Sequence, residues 1–183
     1  TTGKLTMEKS SYPVGYPIKI RVSDLPGDDG DYVTVAVAGA PPEDYVSRKG
    51  SEGATAKALT LQPVMKPGDY ELRLFYGTDV ANGGTPVIRA SLPFKVTPAE
   101  PVTIALGKES YAEGERIVVD YKGMPGNERD WISVAKSDAG ESSYVAYEYT
   151  GGRKQGTLSI RPMVEAGEYE VRVYFDDTTG DKK

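Results

Sequence analysis

Ser133-Val134-Ala135-Lys136 has the S-x-x-K spacing with which a lysine can activate a serine nucleophile. That chemistry needs a helical turn to bring the amine onto the hydroxyl. Here the flanking residues read as a strand, whose alternation sends Ser133 and Lys136 to opposite faces. The corresponding first-half positions, Thr34 and Val37, hold neither residue. Histidine and cysteine are absent from the whole chain. The commonest general base, the thiol nucleophile, the disulfide and the thiolate zinc site are therefore all unavailable. No converging set of carboxylates, Ser, Lys or Tyr is legible, so no catalytic residue is expected and the chain is read as no enzyme.

Oxygen ligands offer a second chemistry. Asn127 and Glu128 in one loop, Asp176 and Asp177 in another, and the linker residue Glu100 form an oxygen-only set of the type that suits calcium. The first half offers Asp28, Asp29 and Asp79 in the same way. The competing reading is that Asp, Asn and Gly occupy these loops for turn geometry and solvation. Asp31 and Asp130 each precede an aromatic residue at the start of a strand. They are expected to accept hydrogen bonds from loop amides rather than to bind a ligand. The chain holds 13 Tyr against 3 Phe and 1 Trp. Tyr147 and Tyr149 share one strand face, and their first-half counterparts are Arg48 and Gly50. Such rings can stack on a sugar or grip a protein partner, or they can pack on the sheet. Trp131 takes the place of Tyr32 and is expected between the two sheets, in the core.

The elements that must position these residues are short strands. Displacing the chain by 99 positions carries Tyr12 onto Tyr111, Pro26-Gly27 onto Pro125-Gly126, Asp31-Tyr32 onto Asp130-Trp131, and Tyr70-Glu71-Leu72-Arg73 onto Tyr169-Glu170-Val171-Arg172, without a gap. The chain is thus read as two tandem copies of one module, a length of 183 residues being comfortable for two cores. With 21 Gly and 13 Pro between Val-, Ile-, Thr- and Tyr-rich runs, each copy reads as a β-sandwich. Strands are predicted at 4–9, 17–23, 31–38, 44–48, 57–62, 69–76 and 87–96, and again at 102–107, 116–122, 130–136, 143–149, 156–161 and 168–175. Ile18, Ile20 and Val22 alternate with Lys19 and Arg21, which marks one buried and one wet face.

The predicted domains are 1–97 and 102–183, joined by a proline-flanked linker at 98–101 that is expected to be stiff. The strand at 87–96 has its equivalent near 186–195, past Lys183, so the second sandwich is predicted to lack its final strand. Either the natural chain continues and supplies that strand, or a partner donates it. The opening Thr1-Thr2, without Met, leads to the expectation of a processed or excised segment. A net charge of −5 argues against nucleic acid, and no run of about 18 apolar residues is present to span a bilayer.

Gly30-Asp31-Tyr32-Val33-Thr34-Val35, Gly39-Ala40-Pro41-Pro42-Glu43-Asp44-Tyr45 and Pro67-Gly68-Asp69-Tyr70-Glu71-Leu72-Arg73 resemble the immunoglobulin-like modules found beside von Willebrand A-type domains in exported bacterial proteins. The second copy, with Asp130-Trp131-Ile132 and Tyr149-Thr150-Gly151-Gly152, is similar to related modules bearing an Asp-Trp-Ile-Gly signature, with Ser133 in place of the glycine. The resemblance implies an all-β chain of two immunoglobulin-like β-sandwich domains, a periplasmic or extracellular location and no activity in the module itself. The function expected is a non-enzymatic accessory or protein-interaction region of a larger exported bacterial protein. Two alternatives stay open: a carbohydrate-binding module using Tyr147 and Tyr149, and a strand-accepting assembly subunit.

Overall fold

In the computed structural model, which describes residues 2–163 and 165–176, the chain divides into two compact units, Thr1–Ala99 and Glu100–Lys183. Among the described residues no helix is long and apolar enough to cross a membrane.

The first unit runs β1 (Lys4–Met7), β2 (Ser11–Pro13), β3 (Ile18–Ser23), β4 (Tyr32–Val37), β5 (Ser47–Gly50), β6 (Lys57–Leu61), β7 (Gly68–Phe75), a single helical turn α1 (Gly77–Val80) with a 3-10 turn behind it (Ala81–Gly83), and β8 (Ala90–Thr97). One sheet is ordered β1-β3-β6 and the other β2-β8-β7-β4-β5. All pairings are antiparallel except β2 with β8, which is parallel. Two packed sheets, the second completed by a parallel contact with its last strand, make an immunoglobulin-like sandwich. Alternation dictates the core: Ile18, Ile20 and Val22 from β3 meet Val33, Val35, Leu72, Leu74, Phe94 and Val96 from the facing sheet. Each such side chain contributes about 1.5–3 kcal/mol when fully buried.

The second unit follows the same path with β9 (Thr103–Leu106), β10 (Ile117–Lys122), β11 (Trp131–Lys136), β12 (Ala146–Tyr149), β13 (Gln155–Ile160) and β14 (Tyr169–Tyr174). Its sheets are ordered β9-β10-β13 and β12-β11-β14. Registers repeat at the offset of 99: Tyr32 faces Phe75 and Gly50, and Trp131 faces Tyr174 and Tyr149. Neither β2 nor β8 has a counterpart strand among the described residues. The second core, built on Ile117, Val119, Met124, Ile132, Val134 and Ile160, is correspondingly smaller.

Two local departures from the sequence reading have physical causes. The short strand β2 escapes detection because three residues show no alternation, and it exists through its pairing with β8. The fifth strand begins at Ser47 rather than near 44. The preceding loop instead turns back over the outer face of the sheet, where the buried Arg73 guanidinium donates to the carbonyls of Ala40 and Pro41 and to the Glu71 carboxylate. The arrangement recurs in the second unit, with Arg172 donating to Ala139, Gly140, Ser143 and Glu170.

Glu71 also accepts from the Gly39 N–H at 3.0 Å. The hydrogen bond from Arg73 holds the Glu71 carboxyl below the ordinary glutamate value of 4.5, against the opposing effect of burial. Because the folded-state value is depressed, the stabilisation is complete above the unfolded value and is lost as pH falls through the folded one. Glu71→Gln should therefore lower the melting temperature at neutral pH, with the gap to wild type closing in acid. A gap that stays constant across the acid limb contradicts this assignment.

Candidate functional site

Asp31 and Asp130 are fully buried at the mouths of β4 and β11. Asp130 accepts from the backbone N–H groups of Gly126 (2.9 Å) and Asn127 (2.8 Å), from the Asn127 side-chain amide (2.9 Å), and from the Asp176 N–H (2.9 Å). Asp31 accepts from the N–H groups of Asp28 (3.3 Å) and Gly77 (3.0 Å), and residue 77 is the counterpart of residue 176. Each aspartate thus fastens two loops at one pole of its sandwich. In the first unit the loops come together backbone to backbone, since a Cβ on Gly77 would stand 2.5 Å from the Gly30 Cα. In the second unit Asp176 takes the left-handed conformation, φ 45°, which aspartate tolerates better than most side chains.

The expected calcium ligands fall around this fastener. Asn127 is buried with its amide directed at Asp130, Asp176 is half-buried with its N–H on the same carboxylate, and Glu128 and Glu100 are exposed. Asp177 lies outside the described residues. Among the described residues no three acidic side chains group closely enough to hold a metal ion. In the first unit Asp28 accepts from the Gly30 N–H, and Asp79 forms an ion pair with Arg89. The Ser133 hydroxyl is buried without a partner, while Lys136 is exposed and paired with Glu165 at 2.8 Å.

Tyr147 and Tyr149 lie on the outer face of β12, opposite Ser133 and Trp131 of β11. Trp131 is not in the core, contrary to the expectation from the sequence. Ile132 and Val134 take the core-facing positions of β11, so strand alternation turns Trp131 outward. There it stacks on Tyr174 with centroids 4.2 Å apart and meets Tyr144 (5.2 Å) and Tyr147 (5.6 Å) edge to face. Tyr147 in turn meets Tyr144 and Tyr149 in the same manner. These five rings form one continuous patch, and every member is only partly buried. In the first unit the equivalents of Trp131 and Tyr174 are covered: Tyr32, 7% exposed, stacks on Phe75, 0% exposed, and the Arg48 guanidinium lies 3.8 Å above the Tyr32 ring, while Tyr45, the counterpart of Tyr144, stays exposed.

No protein-family model matches the sequence, and no curated protein matches it. Among solved structures the chain is similar to the Escherichia coli adhesin FdeC, at 10% identity and a TM-score of 0.35, over 96% of this chain and 60% of the adhesin chain. It therefore spans less than two thirds of that adhesin chain. It is also similar to the teleost fish polymeric immunoglobulin receptor ectodomain, at 10% identity and a TM-score of 0.36 over 94% of this chain and 97% of the receptor. A third similarity, at 11% identity and a TM-score of 0.32, is to a chain from the complex of a mouse coronavirus receptor-binding domain with its murine receptor, over 96% and 94% of the two chains.

Tyr144, Tyr174 and the outward placement of Trp131 escape the sequence reading, which singles out only Tyr147 and Tyr149. The signal was present: Trp131 stands one residue from Ile132, and two such neighbours on a strand cannot share a face. Rings in this arrangement offer apolar area with polar hydroxyl rims, suited to an aromatic or aliphatic anchor, a cation or the face of a sugar.

Proposed function

We propose that this chain is a non-enzymatic protein-interaction region, and that its binding surface is the aromatic outer face of β12, β11 and β14. The supporting observation is the five-ring patch of Trp131, Tyr144, Tyr147, Tyr149 and Tyr174, each partly exposed, where the first unit covers the equivalent Tyr32 and Phe75 and has Arg48 and Gly50 in place of Tyr147 and Tyr149. Tyrosine and tryptophan dominate interface energetics because each supplies a large rigid area with few torsions to immobilise. The wider role follows from the sequence resemblance: an accessory part of a larger exported bacterial protein, acting in the periplasm or outside the cell. A second reading, carbohydrate binding on the same patch, is favoured by the same partly exposed rings, which a pyranose face can cover.

A photo-crosslinking residue at position 147, used on the full chain in extracts of secreted protein, reads out the partner class directly. The expected result is a discrete protein adduct, whose purified partner binds Tyr147→Ala/Tyr149→Ala about 30-fold or more weakly, the loss of one 2 kcal/mol anchor. Equal binding of wild type and double variant would sink the aromatic face as the protein-binding surface. Glycan-array binding abolished by the same substitutions would move the assignment to carbohydrate.

A further inference from the structure

Tyr149, Trp131 and Tyr174 form one row across the outer face of the second unit, because Trp131 is the register partner of both tyrosines. With strands about 4.8 Å apart, the row from β12 over β11 to β14 is about 10 Å long. Tyr147 and Tyr144 widen it on the β12 side. The rings do not lie in one plane. Trp131 crosses Tyr144 at 73° and Tyr147 at 76°, and Tyr147 crosses Tyr144 at 81° and Tyr149 at 78°. Only Trp131 and Tyr174 run parallel, at 13°. Such crossings raise ridges with troughs between them, where coplanar rings would make a flat platform.

The same face carries donors without acceptors. The Trp131 indole N–H and the Tyr144 hydroxyl have no hydrogen-bond partner among the described residues, and neither atom is buried. The Tyr174 hydroxyl, by contrast, is committed to the Glu141 carbonyl. An indole N–H can only donate, so the face calls for a ligand with unpaired acceptors. It also calls for a slender one. A fully buried tyrosine or tryptophan covers about 150–250 Å², so five rings left partly exposed offer no more than roughly 500 Å². A folded partner in a standard interface covers about 800 Å² on each side.

We infer that the partner presents a proline-rich segment in the polyproline II conformation, laid across the strands, with prolines at positions i and i+3 seated on either side of Trp131. One turn of that helix advances about 9 Å, which matches the row of rings. Its carbonyls have no internal partners and proline brings no N–H, so the segment offers acceptors to Trp131 and Tyr144. Proline also fixes φ beforehand, which lowers the ordering cost of binding. The inference rests on the reading of the aromatic face as the protein-binding surface, and it adds the chemistry and direction of what binds there.

The probe is a capped twelve-residue peptide of Pro-Pro-Ala repeats, titrated into the full chain. Trp131 is the one tryptophan and the peptide has no aromatic residue, so emission reports the patch alone. The expected result is a saturable change in emission, with amide resonances shifting along β11, β12 and β14 and staying fixed in the first unit. Tyr149→Ala should weaken binding about tenfold or more. Tyr144→Phe keeps the ring and removes the donor, and should cost about threefold to tenfold. The all-D peptide, of identical composition and opposite hand, should leave the emission unchanged. Absence of saturation at millimolar peptide, equal binding of the two enantiomers, or wild-type affinity in Tyr149→Ala each overturns the inference. If the proline peptide fails while a partner crosslinked at position 147 still binds Tyr147→Ala/Tyr149→Ala weakly, the ligand assignment falls and the surface stands. If both fail, the surface falls with it.

Discussion

Asp130→Ala should destabilise the second unit by at least about 3 kcal/mol. The substitution strands four N–H donors, three of them backbone groups, that converge on a fully buried carboxylate. Each buried unsatisfied donor costs about 1–3 kcal/mol, and the pole lies close enough to solvent for some to rehydrate, which sets the total nearer the lower bound than the sum. Trp131 is the one tryptophan and adjoins the site, so its fluorescence reports unfolding of this unit alone. With a urea slope of about 1–3 kcal/mol/M, the midpoint should fall by about 1 M or more. Asp130→Asn is expected to recover little, because half of its amide presents N–H groups to N–H groups. Asp31→Ala should cost the first unit less, since fewer donors converge on it. A change within about 0.5 kcal/mol of wild type for Asp130→Ala would show that the loops at this pole are held by something else.

Arg73→Ala carries the next largest effect, about 3–5 kcal/mol on the first unit. The guanidinium is 1% exposed, spans the carbonyls of Ala40 and Pro41, and neutralises Glu71. Removing it leaves a carboxylate and two carbonyls under a loop that no longer has a reason to lie on the sheet. Arg73→Lys keeps the charge and loses the fork, so it should restore only part of the stability. Arg172 makes the equivalent contacts with a side chain 15% exposed and a Glu170 partner 46% exposed, so Arg172→Ala should cost clearly less than Arg73→Ala. Residue-resolved amide exchange separates the units: Arg73→Ala should speed exchange along β4 and β7 and leave β10 and β11 at wild-type rates. Equal effects of the two arginine substitutions would contradict the burial argument.

Much of the site was within reach of residue patterns, and what escaped did so for identifiable reasons. Asp31 and Asp130 were readable as acceptors because an aspartate beside a turn has donors within a few residues. Their second clients, Gly77 and Asp176, lie 46 residues away: the convergence of the two loops was legible through the oxygen-ligand set, but the backbone N–H groups that reach the aspartates were not. Tyr147 and Tyr149 were visible as a stripe, since two residues apart on a strand means one face. Their assembly with Trp131 and Tyr174 depends on which strands flank β11, and pairing of that kind is a property of the sheet. The size of the Trp131 ring points to the core, but the alternation of its neighbours turns it outward. Ile132 and Val134 had already claimed that face.

What the sequence by itself determined is therefore local or repetitive: period-two burial, turn positions, two copies of one sandwich offset by 99 residues, and the absence of thiol and imidazole chemistry. These follow from pleat geometry and residue type, which act over a few residues at a time. The tertiary structure alone decided that equivalent positions in the two copies differ in exposure. Phe75 is sealed and Tyr174 is half open, although both face the same register partner on the neighbouring strand. The outcome depends on what lies above the sheet and along its edge. Burial is set by the sum of all elements that arrive at a face, from however far along the chain they come.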